Sequence, residues 1–217
     1  MEEKRTSGFH YAWIVLIATI VMNFFFSIVY SSFSMYGASV LADNPDITRT
    51  AYSLIPTLHA VFATVFLLLY GKIVEKLGFR NIMLIGGIGL GIGYFIYSIA
   101  SNIALFYVGA LFVGIFPAFC SSTTTGALIN RWFGKLNGTL LSISMAIGGF
   151  GGTVGSILVG KWLSTIGYKA SFRNMAILMV VIMVMTFAVD TTPKITPYTA
   201  GSHPRSAMYS ATLAYAA

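Results

Sequence analysis

Charged residues are absent from five long stretches of the chain, and these stretches dominate its pattern of hydrophobic and polar positions. Residues 11–42, 50–71, 81–130, 136–160 and 174–189 contain no Asp, Glu, Lys or Arg. A helix needs about 20 apolar residues to cross the roughly 30 Å hydrocarbon core of a bilayer. Four stretches therefore hold one crossing each, and the third, which is 50 residues long, holds two. The pattern predicts six membrane-spanning helices.

Turn-forming or charged residues separate these helices. Residues 43–46 form an Asp-Asn-Pro-Asp turn, and Thr48 can cap the helix that follows. Ser101 and Asn102 divide the longest stretch, and the charged segments 72–80, 131–135 and 161–173 supply the other breaks. The predicted spans are 12–41, 51–74, 81–99, 105–127, 140–163 and 175–189.

The composition agrees with a membrane protein and excludes an ordinary soluble domain. Of the residues, 57% are hydrophobic and 9% are charged, whereas about 25% are charged in an average soluble domain. The net charge of +7 would suggest a nucleic-acid partner in a soluble protein, but basic residues in a membrane protein set its orientation. We predict no nucleic-acid partner. The single cysteine, Cys120, excludes a disulfide framework and a cysteine-based metal site.

The basic residues are distributed unequally between the two sides of the predicted bundle. Nine lie on the side of the termini and four on the other side, so the positive-inside rule predicts that both termini are cytoplasmic. Residues 1–11 then form a cytoplasmic N-terminus and residues 12–189 a six-helix bundle in the cell membrane. Residues 190–217, rich in Thr, Ser, Pro, Ala and Tyr, are predicted to be a disordered cytoplasmic tail.

Two loops of the chain resemble each other. One begins at Gly71 and reads Gly-Lys-Ile-Val-Glu-Lys-Leu-Gly-Phe-Arg; the other begins 89 residues later, at Gly160, and reads Gly-Lys-Trp-Leu-Ser-Thr-Ile-Gly-Tyr-Lys. The first joins spans two and three, and the second joins spans five and six. The predicted fold is therefore an all-α bundle of two three-helix units. An odd number of helices per unit inverts the second unit relative to the first, as in many secondary transporters.

The first of these loops is similar to the signature loop of the major facilitator superfamily of transporters. That signature has a glycine, three residues, an aspartate, a basic residue, one residue, a second glycine and then basic residues. The matching residues are Gly71, Glu75, Lys76, Gly78 and Arg80. The match has a glutamate where aspartate is usual and a phenylalanine in place of one basic residue. The resemblance implies half of a fold that is built from two six-helix halves.

Other segments resemble the oxalate/formate antiporter and monocarboxylate transporter branch of that family. They are residues 10–13 before span one, residues 48–50 at span two, residues 130–133 with Gly138 before span five, and residues 167–172 before span six. The resemblance implies secondary active transport of a small organic anion such as a carboxylate. The lipid bilayer and this small molecule are the expected partners.

The chain contains one predicted six-helix unit, whereas the substrate path of the transporters it resembles lies between two. We therefore expect a truncated N-terminal half that needs a second six-helix half. A half-size protein that works as a homodimer is the rival explanation. A structural or regulatory membrane protein without transport activity, or an inactive remnant, is the alternative function.

The resemblance also implies a gate at the cytoplasmic end of span two. Glu75 is expected there, close to Arg131 at the end of span four. Three further basic residues surround it: Lys72, Lys76 and Arg80. The carboxylate would hold two helix ends together in one conformational state and release them in the other. The alternative is a solvated surface charge, because an exposed ion pair contributes only about 0–1 kcal/mol.

Polar side chains within the spans are the candidates for a substrate cavity. Those of span one fall within about 100° of one helix face, and those of span four follow Pro117, which favours a kink. His59 is the only His, Asp, Glu, Lys or Arg within the five uncharged stretches, and such residues within a membrane span are functional candidates. The candidates are Asn23, Ser27, Tyr30, His59, Ser121 and Thr125. Packing alone is the alternative, because Ser and Thr can bond to their own helix backbone.

Two remaining features concern catalysis and packing. An enzyme within the membrane would need catalytic carboxylates, a metal-binding histidine pair or a nucleophile with a base, and the spans contain none of these sets. We predict no enzymatic activity, no metal and no other cofactor. Glycines four residues apart predict close helix approach. These pairs are Gly87 and Gly91, Gly89 and Gly93, Gly148 and Gly152, and Gly151 and Gly155.

Overall fold

A computed structural model gives the fold of the chain. It describes the backbone of residues 3–133 and 136–187 and, within them, the side chains of residues 13–130, 133 and 136–184. The predicted tail, residues 190–217, lies outside the described residues. The side chain of Arg131 also lies outside them.

Helices make up all the regular structure of the described residues. Since a bilayer core offers no water to bond with peptide groups, helices that satisfy their own backbone are the form expected of these apolar segments. The elements are α1 (Glu3–Ser31), a 3-10 segment (Ser32–Met35), α2 (Tyr36–Asp43), α3 (Arg49–Ile99), α4 (Ile103–Ile115), α5 (Pro117–Cys120), α6 (Ser122–Phe133) and α7 (Asn137–Phe187).

Side-chain caps begin two of the helices. Thr48 precedes α3, and its Oγ1 accepts a hydrogen bond from the backbone N–H of Ala51 at 3.2 Å. Asn102 precedes α4, and its Oδ1 accepts one from Leu105 N–H at 2.9 Å. Each cap satisfies one of the N–H groups that a helix start leaves without an intrahelical partner. The cap predicted at Thr48 is confirmed.

Four helical stretches of the described chain are long and apolar enough to cross a bilayer. They are Trp13–Asp43, Arg49–Ile99, Ile103–Asn130 and Asn137–Val184. With such stretches and no strand among its described residues, the protein is an all-α membrane protein.

Two of the helices, α3 and α7, contain a single glycine that interrupts them. Each helix has 51 residues, which would extend about 77 Å if straight. Gly78 has φ 74° and ψ 159°, and Gly167 has φ 76° and ψ 171°; both hold the same position in the two similar loops. The predicted breaks at 72–80 and 161–173 are therefore too long. One glycine interrupts the helix, and the charged residues around it are helical.

The halves of α3 lie against each other. The Nε2 of His59 is 2.7 Å from the hydroxyl oxygen of Tyr97, although 38 positions separate these residues. A straight helix would place them about 57 Å apart. The chain therefore reverses its direction at Gly78.

Glycines of the first half of α7 allow close packing on α1. A Cβ on Gly151 would lie 2.5 Å from the carbonyl oxygen of Phe24, and one on Gly155 would lie 2.6 Å from that of Ile28. Real side chains do not tolerate such contacts with backbone. Residue numbers rise together along the two helices, so α1 and this half of α7 run parallel. The close approach predicted from the span-five glycines is confirmed.

The second half of α3 packs between two other helices through two sets of glycines. On one side, a Cβ on Gly93 would lie 2.7 Å from Val113 of α4. On the other side, a Cβ on Gly91 would lie 2.5 Å from Val180 of α7, and one on Gly87 would overlap Met183. The prediction of close approach in span three is likewise confirmed.

Aromatic residues fill the centre of the bundle. The rings of Tyr36 and Phe172 stack with centroids 3.9 Å apart, and both side chains are fully buried. The Tyr36 hydroxyl lies 2.8 Å from the Ser171 hydroxyl, and the buried Tyr94 hydroxyl donates to the carbonyl of Val29 at 2.8 Å. These bonds satisfy the polar ends of buried rings and join α1, α2, α3 and α7.

We expect Gly167→Ala to destabilise the protein and Gly149→Ala to leave it stable. A Cβ meets nothing within 4 Å at either position, but Gly167 has φ +76° whereas Gly149 is helical. The Gly167 conformation costs any other residue about 1–3 kcal/mol, while Ala at a helical position is favoured over Gly. Thermal unfolding in detergent should give a lower Tm for Gly167→Ala alone. Equal Tm values for the two variants would contradict the backbone argument.

Candidate functional site

The stretch between Ile103 and Phe133 is broken. Helix α4 ends at Ile115, α5 has four residues, and α6 begins after Ser121. Pro117 has no N–H to donate to the preceding turn, and Ser121 adopts extended backbone with φ −86° and ψ −174°. The kink predicted at Pro117 is thus accompanied by a second irregularity four residues later.

An open groove lies beside this break. Its volume is about 320 Å³. Its walls come from α1, from the first half of α3, and from the segment that includes α5 and the start of α6. The lining residues are Phe26, Tyr30, Ala63, Thr64, Leu67, Pro117, Ala118, Ser121, Ser122 and Thr123.

The chemistry of the groove is that of hydroxyl groups on an apolar wall. Five lining residues carry a hydroxyl and none carries a charge: Tyr30, Thr64, Ser121, Ser122 and Thr123. Tyr30 is 39% exposed, and its ring stacks on that of Phe26 with centroids 5.4 Å apart. The groove can therefore offer hydrogen bonds to a polar group and an aromatic surface to an apolar one.

The start of α6 adds an electrostatic contribution. Ser122 is the first residue of this 12-residue helix and lines the groove. The first N–H groups of a helix have no intrahelical partner, and the helix dipole places partial positive charge at that end. The Ser121 Oγ accepts the Thr123 N–H at 3.3 Å, so its own hydroxyl proton remains free to point elsewhere.

The structure brings two of the six cavity candidates into the groove, Tyr30 and Ser121. Asn23 instead faces α7, where its Nδ2 donates to the Ser144 carbonyl at 2.9 Å, and Ser27 lies beside Gly148 of the same helix. Thr125 is fully buried, and its Oγ1 has no hydrogen-bond partner among the described residues. The spacing of the polar residues along α1 did not distinguish those that face the groove from those that face α7.

His59 belongs to the aromatic centre and not to the groove. It is 5% exposed, it bonds to Tyr97, and its ring lies 5.0 Å from that of Phe33 at a steep angle. Among the side chains that the structure describes, no three of His, Cys, Asp or Glu come together as a metal site would require.

The residues of the signature loop lie around the reversal at Gly78. Gly71 is helical, with open space beside it, and Glu75 and Lys76 are exposed. Arg80 is partly buried just after the reversal. Glu75 forms no ion pair with another side chain that the structure describes. The pairing expected with Arg131 lies outside the described side chains.

The groove also contains a residue that the sequence did not mark. Thr64 lies one helical turn after Ala60, and its Oγ1 donates to the Ala60 carbonyl at 2.8 Å, which leaves its lone pairs able to accept. A single threonine in an apolar span has no distinguishing pattern. Only its position opposite Ser121 and Ser122 makes it part of a site.

Comparisons with known proteins agree with this architecture. Residues 12–212 match the Major Facilitator Superfamily. The chain is 23% identical over 160 residues to the riboflavin transporter RibZ of Clostridioides difficile, and 32% identical over 130 residues to the riboflavin transporter RibJ of Trypanosoma brucei brucei. It is 25% identical over 175 residues to the uncharacterized MFS-type transporter YhjX of Escherichia coli.

These alignments cover most of this chain and a smaller share of each relative. They include 74%, 59% and 78% of the chain, against 35%, 24% and 42% of RibZ, RibJ and YhjX. The chain therefore spans less than half the length of these curated relatives. All three relatives are named as transporters, and the family match extends over nearly all of the apolar helices. The protein is a multi-pass membrane protein, and the chain belongs to the Major Facilitator Superfamily.

Proposed function

We propose that the chain forms a six-helix half of a secondary active transporter. The lengths of α3 and α7 support six crossings, because each is more than twice as long as one crossing requires and each is interrupted by a glycine. The halves of α3 and α7 make four crossings, and the stretches Trp13–Asp43 and Ile103–Asn130 add two, which gives six. The match between Gly78 and Gly167 supports two inverted three-helix units, since the similar loops place the same backbone conformation at the same position.

The groove beside the helix break is the observation that carries the proposed substrate class. In several transporter folds the start of a half-helix directs the positive end of its dipole at an anionic group of the substrate. Here the start of α6 and the nearby serine and threonine hydroxyls could hold a carboxylate, and the apolar wall could hold its hydrocarbon part. We therefore propose a small organic anion, such as a monocarboxylate, carried by secondary active transport.

A flat, uncharged molecule is the second candidate substrate. Two of the relatives are named as riboflavin transporters, and riboflavin combines a heteroaromatic ring with hydroxyl groups. The stacked pair of Phe26 and Tyr30 could receive such a ring, and the hydroxyls of the groove would bond to its polar edge. The absence of a charged side chain among the lining residues is compatible with this candidate.

The remaining walls of the substrate path need a partner. A second six-helix half is the proposed partner, and a second copy of this chain is the alternative. In either case the two bundles would rock against each other around a site at their interface. A membrane protein with a structural or regulatory role is the alternative function, and it predicts no saturable uptake in any combination.

We expect saturable uptake in liposomes only when this chain is co-reconstituted with a complementary six-helix half. Radiolabelled formate, oxalate, lactate, pyruvate and riboflavin would be compared.

Ser122→Ala should raise the KM of a carboxylate about tenfold, because a hydrogen bond to a charged group is lost. Ser142→Ala is the matched control, since Ser142 is exposed on α7 and bonds to its own helix. Uptake of riboflavin alone would reject the carboxylate proposal, and uptake by the chain alone would favour the homodimer.

Orientation is tested by thiol labelling of single cysteines introduced at Asp46, Lys76 and Lys169 in a Cys120→Ala background. Six crossings with cytoplasmic termini place Lys76 inside and the other two outside. We expect a membrane-impermeant reagent to label Asp46→Cys and Lys169→Cys in intact cells, and Lys76→Cys only after permeabilisation. Labelling of Lys76→Cys from outside would reject the orientation.

The proposed gate predicts that Glu75→Lys abolishes most of the uptake without reducing the amount of protein in the membrane. A reversed charge cannot hold the end of span two beside the basic end of span four. Asp46→Lys is the control, because it reverses an exposed charge in a different loop. Uptake is measured together with surface expression, and normal uptake by Glu75→Lys would remove this carboxylate from the mechanism.

A further inference from the structure

The break between α5 and α6 leaves backbone groups without their helical partners in the interior. In a continuous helix the Phe119 carbonyl would accept the N–H of Thr123, but here that N–H bonds to the Ser121 Oγ. Phe119 is 5% exposed and Ala118 is 6% exposed. Carbonyl groups in such a place need other donors, because water does not reach them easily.

Thr124 supplies the missing donor. Its Oγ1 lies 2.9 Å from the Phe119 carbonyl oxygen and 3.2 Å from that of Ala118, and its side chain is fully buried. A hydroxyl group has one proton to donate and two lone pairs to accept with. The single proton of Thr124 is therefore shared between the two carbonyl groups.

Tyr70 completes the arrangement from α3. Its hydroxyl oxygen lies 2.8 Å from the Thr124 Oγ1. Since the Thr124 proton is directed at the carbonyl groups, Tyr70 donates and Thr124 accepts. The Tyr70 ring also stacks on that of Phe119, with centroids 6.4 Å apart and planes at 22°. One side chain of α3 thus contacts both sides of the break.

This chain of hydrogen bonds adjoins the groove. Leu67 lies one turn before Tyr70 and lines the groove. Ala118 and Thr123, which lie before and after the break, also line it. Tyr70 also immediately precedes Gly71, the first residue of the signature loop. The shape of the groove wall therefore depends on a contact near the end of the first half of α3, next to the start of that loop.

We propose that Tyr70 and Thr124 are positioning residues that hold the α5–α6 break open and thereby keep Ser121, Ser122 and Thr123 in the groove wall. The proposal rests on the proposed function of the groove as a substrate site. Without the Tyr70 donor, Thr124 holds the carbonyl groups less firmly, and the segment can return to a continuous helix that withdraws the serines. Neither residue needs to touch the substrate.

The test uses a readout that does not depend on transport. Ser122→Cys, in a Cys120→Ala background, reports by its rate of thiol labelling whether this position faces the groove. We expect Tyr70→Phe and Thr124→Val each to lower this rate about fivefold, the factor that corresponds to loss of one ordinary hydrogen bond. The double variant should show no larger effect than either single one, because both changes break the same chain of hydrogen bonds.

Two variants serve as controls. Thr124→Ser keeps the hydroxyl and should restore the labelling rate. Tyr107→Phe removes another tyrosine hydroxyl, which donates to the Ala51 carbonyl over 3.0 Å. Tyr107 does not line the groove, so this variant should leave the labelling rate unchanged. If Thr124→Val does not fold, Tyr70→Phe, which lacks one oxygen atom only, decides the question.

Uptake is measured in protein that keeps the native Ser122. There, Tyr70→Phe should show a raised KM and a nearly unchanged maximal rate. An unchanged or increased labelling rate in Tyr70→Phe would overturn the positioning role, whatever the uptake shows. If no combination of halves takes up any substrate while the labelling rate falls as expected, the proposed function fails and the positioning role stands.

Discussion

The hydrocarbon core of a bilayer contains no water to bond with peptide groups, and the architecture of this protein depends on that constraint. Every long apolar segment that the structure describes is helical, and the interruptions at Gly78 and Gly167 are each a single residue amid charged helical turns. At the interior break between α5 and α6, the freed carbonyl groups are bonded by a threonine side chain. A break in a buried helix is thus possible here because neighbouring side chains replace the lost backbone partners.

Apolar helices gain little when they exchange contact with lipid for contact with each other. Their packing therefore needs close approach and buried hydrogen bonds. Glycines provide the approach: Gly151 and Gly155 bring α7 against the backbone of α1, and Gly87 and Gly91 bring the second half of α3 against α7. Buried hydroxyl groups provide the bonds, as at Tyr36 with Ser171. Helices α1 and α3 also form two walls of the groove, whereas its third wall is formed by the less regular α5–α6 segment.

Several elements of the fold were predictable from local patterns. The lengths of the uncharged stretches indicate membrane helices, the Thr48 cap follows from residue type and position, and the glycine spacing indicates where helices can approach closely. The matching loops also indicate where the chain repeats a conformation. Each of these signals is local, because it depends on the length of a bilayer crossing, on one helix turn or on the steric size of a side chain.

The sequence by itself determined the class of the protein, its apolar helices and the glycines that allow close helix approach. Only the tertiary structure decided which polar residues meet. Asn23, Ser27 and Tyr30 share a broad face of α1, yet the first two face the glycines of α7 and the third faces the groove. Likewise, the hydroxyl of Tyr70 bonds to that of Thr124, although 54 positions separate the two residues. The rotation of each helix about its axis depends on all of its neighbours together, and periodicity within one helix cannot specify it.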